Sequence, residues 1–104
     1  MKKIVAAVAV LALSLGMAGN AFAQKKAVKA AVKNVSGGKL DLAVENIEGA
    51  ILNPETMSLS NTWMVRGDVY RAVAANPFYA RNYENPADLA LASYQKAIEL
   101  DPSE

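Results

Sequence analysis

Residues 61–71, "NTWMVRGDVYR", gather the side chains best suited to making contacts: an indole, a thioether, a phenol, two guanidinium groups and a carboxylate. On a helix, Trp63, Gly67, Tyr70 and Ala74 share one face. Asn61, Met64, Asp68 and Arg71 point elsewhere and offer mixed polar, soft and charged contacts. That chemistry is recognition, not bond breaking. The chain has no His and no Cys, so the commonest general base, the thiol nucleophile and the soft metal ligands are missing. Ser and Asp occur in no recognisable nucleophile setting. No phosphate-binding Gly loop is present, and Gly37-Gly38 reads as a turn. No enzyme activity, cofactor or metal is expected. Arg66-Gly67-Asp68 spells an adhesion tripeptide. It falls inside a helical pattern, where packing explains Gly67, and is set aside.

Four helical segments position these residues. The first is expected over about Lys25 to Ser36, with Val28, Ala31, Val32 and Val35 as its apolar stripe and Gly37-Gly38 as its stop. The second runs from about Lys39 to Asn53, with Leu40, Ala43, Val44, Ile47, Ala50 and Ile51 on one face and Pro54 ending it. "PETMSLS" then makes a polar connection. A third helix starts near Ser60 or Asn61, either of which serves as a cap, and ends at Asn76-Pro77. The connection at residues 76–85 carries Phe78, Tyr79 and Tyr83, expected as an apolar lid over the helices, although long loops are often functional. The fourth helix opens with Asn85 as cap and Pro86 in its first turn, and runs to about Leu100.

Residues 1–23 form a separate block. Lys2 and Lys3 precede the apolar run Ile4 to Leu15, and Ala21-Phe22-Ala23 gives a small-x-small site. This is the layout of a secretory signal peptide cut between Ala23 and Gln24. The apolar run is short for a membrane span, so no stable span is expected after cleavage. The location implied is the bacterial periplasm or the exterior. The exported chain has nine bases against ten acids, a net charge of −1, so nucleic acid is not an implied partner. Lys25, Lys26, Lys29, Lys33 and Lys39 stand together without an acid. They read as the solvated face of the first helix. The functional alternative is contact with an anionic envelope surface or an acidic partner.

The chain also repeats itself. "LDLAVENIEGAI" (Leu40–Ile51) and "ADLALASYQKAI" (Ala87–Ile98) agree without a gap at Asp41/Asp88, Leu42/Leu89, Ala43/Ala90, Ala50/Ala97 and Ile51/Ile98. With Trp63, Gly67 and Tyr70 before it, and Ala90, Tyr94, Ala97 and Pro102 within it, the second half resembles the tetratricopeptide repeat pattern W-x2-L-G-x2-Y…A-x3-F…P. Arg66 stands where that pattern has Leu, and Tyr94 where it has Phe. The segment from Trp63 to Pro102 is also about a third longer than one repeat allows. The resemblance implies an all-α domain over 24–104, with antiparallel helix pairs at 25–54 and 60–102 stacked as a short α-solenoid. It implies that Trp63, Gly67, Tyr70, Ala90, Tyr94 and Ala97 pack the pair, that Pro102 ends it, and that Asn61, Met64, Asp68 and Arg71 line a groove for a protein or peptide. The alternative for Asp68 and Arg71 is an i, i+3 pair on a solvated helix. Ala90, Leu91, Tyr94, Ala97 and Ile98 are expected to present an apolar face lacking a neighbour. That suggests self-association through the last helix, or a chain continuing into a further domain.

Overall fold

In the computed structural model, residues 20–102 are described, with side chains from Lys25. The expected signal peptide lies outside these residues except for its last positions. Six helices follow in order: α1 (Asn20–Ser36), α2 (Leu40–Ala50), α3 (Pro54–Met57), α4 (Ser60–Ala75), α5 (Pro77–Ala80) and α6 (Pro86–Leu100). No strand occurs among the described residues, so the fold is all-α. No described helix is long and apolar enough to cross a membrane. α1 starts earlier than the pattern predicted and runs through the Ala23–Gln24 position where cleavage is expected.

Two kinds of punctuation divide the helices. The Gly37-Gly38 turn closes α1, with Gly38 at φ +78°, a left-handed conformation that Gly adopts without strain. Lys39 N–H returns to the Asn34 carbonyl at 2.8 Å. The others are three Asn-Pro pairs. Asn53 Oδ1 accepts from Glu55 N–H at 2.8 Å and starts α3, a helical turn inside what reads as a polar connection. Asn76 ends α4 and caps α5, accepting from Phe78 N–H at 3.0 Å. Both place Pro at the first helical position, where its missing N–H costs nothing. Asn85 departs from expectation. It holds the N-cap position of α6 at φ +50°, and its side chain makes no capping hydrogen bond. Ser60 does not cap its own helix either. Its hydroxyl donates to the Ala97 carbonyl at 2.9 Å and pins the start of α4 to the end of α6.

The packing follows the apolar stripes, with two corrections. α1 packs on α2, α4 on α6, and α4 also touches α1 and α2. Val28 and Ala31 are buried in α1, but Val32 is 49% exposed, one step around the helix from the buried arc. Leu40, Ala43, Val44, Ile47 and Ala50 of α2 are buried as expected, whereas Ile51, placed on the same stripe, falls past the end of the helix and is only half-buried. The larger correction concerns α4. Its main core stripe is Val65, Val69 and Val73, at i, i+4, i+8, with Thr62 beside it. The Trp63–Gly67–Tyr70–Ala74 face is a second one. Gly67 and Tyr70 are buried there, while Trp63 and Ala74 are only half-buried. A helix with neighbours on both sides needs two apolar stripes, and α4 has them.

Candidate functional site

Two surfaces of α4 carry the chemistry. The first is the face no described helix covers. Of the four residues expected to line a groove, Asn61, Asp68 and Arg71 are exposed there and Met64 is half-buried. Asp68 has a further role that its spacing from Arg71 concealed. Its carboxylate accepts a hydrogen bond from the Tyr94 hydroxyl at 2.5 Å. Tyr94 belongs to α6, so this exposed bond ties the rim of the open face to the neighbouring helix. The Tyr94 ring lies over Gly67, where an added Cβ would stand 2.5 Å from ring carbon Cε1. The tripeptide Arg66-Gly67-Asp68 is therefore helical and occupied: Asp68 by Tyr94, Gly67 by its ring, and Arg66 by the partners described next.

Burial and then the Asp68 contact push the Tyr94 hydroxyl up to about 12, with Arg71 opposing. The ordinary tyrosine value is about 10. A raised folded value means that the contact contributes fully below about pH 10 and is lost as pH rises through 12. Wild-type stability is thus expected to fall over that alkaline window, and Tyr94→Phe to flatten part of the fall. Urea denaturation at a series of pH values measures it. Equal slopes for the two proteins contradict the assignment.

The second surface is a cleft of about 620 Å³ between α2, the 82–85 loop and α6, floored by α4. Its floor is a polar network that the sequence did not reveal. Arg66 Nε donates to Glu48 Oε2 at 3.0 Å, and Arg66 Nη1 donates to Ser93 Oγ at 2.9 Å. The Tyr70 hydroxyl donates to the same Glu48 oxygen at 2.5 Å. Ser93, fully buried, passes its own proton to the Leu89 carbonyl at 2.8 Å. Three helices are joined by one carboxylate and one guanidinium, whose side chains are 20% and 13% exposed. The guanidinium also lies 5.1 Å from the Tyr70 ring centre and 5.6 Å from that of Trp63. Burial, then the Glu48 charge, hold the Tyr70 phenol well above the usual tyrosine range. Arg66 is thus no misplaced Leu but the centre of the floor.

Trp63 is an edge residue more than a filler between helices. Its indole N–H donates to the Met57 carbonyl at 2.7 Å, and Lys96 approaches its ring at 6.0 Å. Ala90 and Ala97 are buried against α4 as expected, and α6 ends at Leu100 ahead of an exposed Pro102. The apolar face ascribed to α6 is correspondingly narrower. Ala90 and Ala97 are not on it, while Leu91 and Ile98 are each 58% exposed. The aromatic lid is also partial. Tyr79 and Tyr83 pack against the core, with Tyr83 edge-on to Tyr70 at 6.3 Å, but Phe78 is 65% exposed. Among the described residues, no cluster of three acidic, His or Cys side chains is placed to hold a metal ion. Set against known proteins, the chain matches no family model, no curated protein and no solved structure, so its reading rests on these two surfaces.

Proposed function

We propose that the chain is a non-catalytic protein-interaction module of the bacterial envelope, a short tetratricopeptide-like array of two helix pairs that holds a protein or peptide on the open face of α4. What supports this reading is that Asn61, Asp68 and Arg71 are exposed and Met64 is half-buried on a side of α4 that no described helix covers. Rigid helices make that face a preformed contact surface, which is how stacked helical arrays bind. The signal-like block at residues 1–23 supports export.

Arg71→Ala is the clean probe, since Asp68→Ala also removes the anchor of Tyr94. A photo-crosslinking residue at position 64 is expected to capture a discrete partner in cells. The adduct should fade with Arg71→Ala while the melting curve stays in place. No discrete adduct, or one indifferent to Arg71, counts against the open face.

One observation favours a second reading, self-association through α6. In the internal repeat, Val44 pairs with Leu91 and Ile51 with Ile98. Val44 is 9% exposed, whereas Leu91 is 58% exposed. At the Val44/Leu91 position the second copy of the repeat thus leaves bare a side chain that the first copy covers. Sedimentation over a concentration series at about 1 M salt, where charge contacts are screened, separates a monomeric binding module from one that associates through α6, and Leu91→Ser/Ile98→Ser should abolish the latter.

A further inference from the structure

We propose that the outward lysine ridge of α1 in one copy of the chain docks on the acidic mouth of the α2–α6 cleft in a second copy. The contact uses neither the open face of α4 nor the Leu91–Ile98 stripe, so it stands or falls separately from the reading above.

The ridge is simple in composition. Lys25, Lys29 and Lys33 lie at i, i+4, i+8 and are all exposed. Val28 and Ala31 of the same helix are buried against its neighbours. Lys29 and Lys33 stand about 100–160° around the helix from them, with Lys25 on the flank, so the ridge faces solvent and not its own core. No acid occurs between residues 24 and 39 to neutralise it.

The mouth of the cleft has the opposite character. Asp41 and Glu45 are exposed on α2, and Glu84 and Asp88 are exposed on the α6 side. Their proximity to the cleft is marked by Tyr83, a wall residue whose hydroxyl is raised first by burial and then by the charges of Asp41 and Glu45. Among the residues lining the cleft, the one cation is Arg66, and Glu48 engages it. Three lysines four residues apart span about 12 Å along a helix. Their long stems can lie against Tyr83, Leu89 and Ala92 while the ammonium groups meet the carboxylates. Ridge and cleft are different patches, so each docked copy still offers one of each. The association is head to tail and open-ended.

Sedimentation velocity on the purified chain tests this. At an ionic strength of about 0.01 M the average mass should rise with concentration, and at about 1 M it should return to monomer, because exposed charges are screened. Lys25→Glu/Lys29→Glu/Lys33→Glu alone should stay monomeric at low salt, as should Glu45→Lys/Asp88→Lys alone. Mixed in equal amounts they should associate again, since each then offers the ridge that the other's cleft requires. Lys25→Gln/Lys29→Gln/Lys33→Gln repeats the ridge arm without charge reversal, and circular dichroism checks that each variant remains helical. A wild-type mass that does not grow at low salt overturns the proposal. So does association that survives both reversals, or variants that fail to re-associate when mixed.

Discussion

Glu48→Leu is expected to lower stability by about 3 kcal/mol, and Glu48→Leu/Arg66→Leu to restore most of that loss. Glu48 accepts from both Arg66 and Tyr70, so its removal strands a guanidinium and a phenol at once. Breaking a fully buried pair from one side costs about 3–5 kcal/mol, since the remaining charge has no compensation. The residual exposure of the two side chains, 13% and 20%, places this case at the lower end. For a domain of this size the shift in Tm is upward of about 12 °C. Removing both partners leaves no stranded charge. Ser93 keeps its bond to the Leu89 carbonyl, while the buried Tyr70 hydroxyl lacks its acceptor in the single and the double variant alike, so the recovery stops short of complete. Urea denaturation of the two single variants and the double variant decides the matter. If the double variant is as unstable as the sum of the singles, the network is not a coupled unit.

That network marks the boundary of what the sequence made legible. Helix ends were readable because their causes are local: Gly37-Gly38, Asn76-Pro77 and Pro86 act on the backbone beside them. The α2 stripe was readable because a helix buried on one side shows a single periodic face. α4 has neighbours on two sides, and attention to the aromatic face hid the valine stripe, although Val65, Val69 and Val73 are spaced at i, i+4, i+8 in plain view. The Glu48–Arg66–Ser93 contacts join residues 18 and 27 positions apart, and no local pattern encodes such a pairing. The available signal was Arg66 itself, a cation beside Val65 on a helix whose neighbouring positions pack into the core. The cleft above it is assembled from three separate segments and exists only once they pack. Of the candidate open face, the grouping of Asn61, Met64, Asp68 and Arg71 was visible from spacing. The tie from Asp68 to Tyr94 was not, because it crosses between helices 26 residues apart in sequence.

Gly67→Leu is the second large expected effect, with a loss of about 3 kcal/mol or more and the contact between α4 and α6 as its target. A Cβ at position 67 would stand 2.5, 2.6 and 2.8 Å from three carbons of the Tyr94 ring, closer than such atoms approach. Tyr94 cannot retreat by moving its backbone, because Ala90 and Ala97 on the same helix are 6% and 2% exposed against the core. Its ring must swing outward, giving up both the seat on Gly67 and the hydrogen bond to Asp68. Gly67→Ala demands the smallest version of this movement and gains about 1 kcal/mol of helix propensity in return, so its net loss should be small. Gly67→Leu fills more space than the displaced ring vacates. The sign of the Ala substitution is the sharper test. Once Tyr94→Ala has removed the ring, Gly67→Ala should turn from costly to stabilising by about 0.5–1 kcal/mol, since only the propensity gain remains. Thermal melts of Gly67→Ala, Tyr94→Ala and the double variant measure that reversal. If Gly67→Ala costs the same with and without the ring, the glycine is needed for some reason other than the approach of Tyr94.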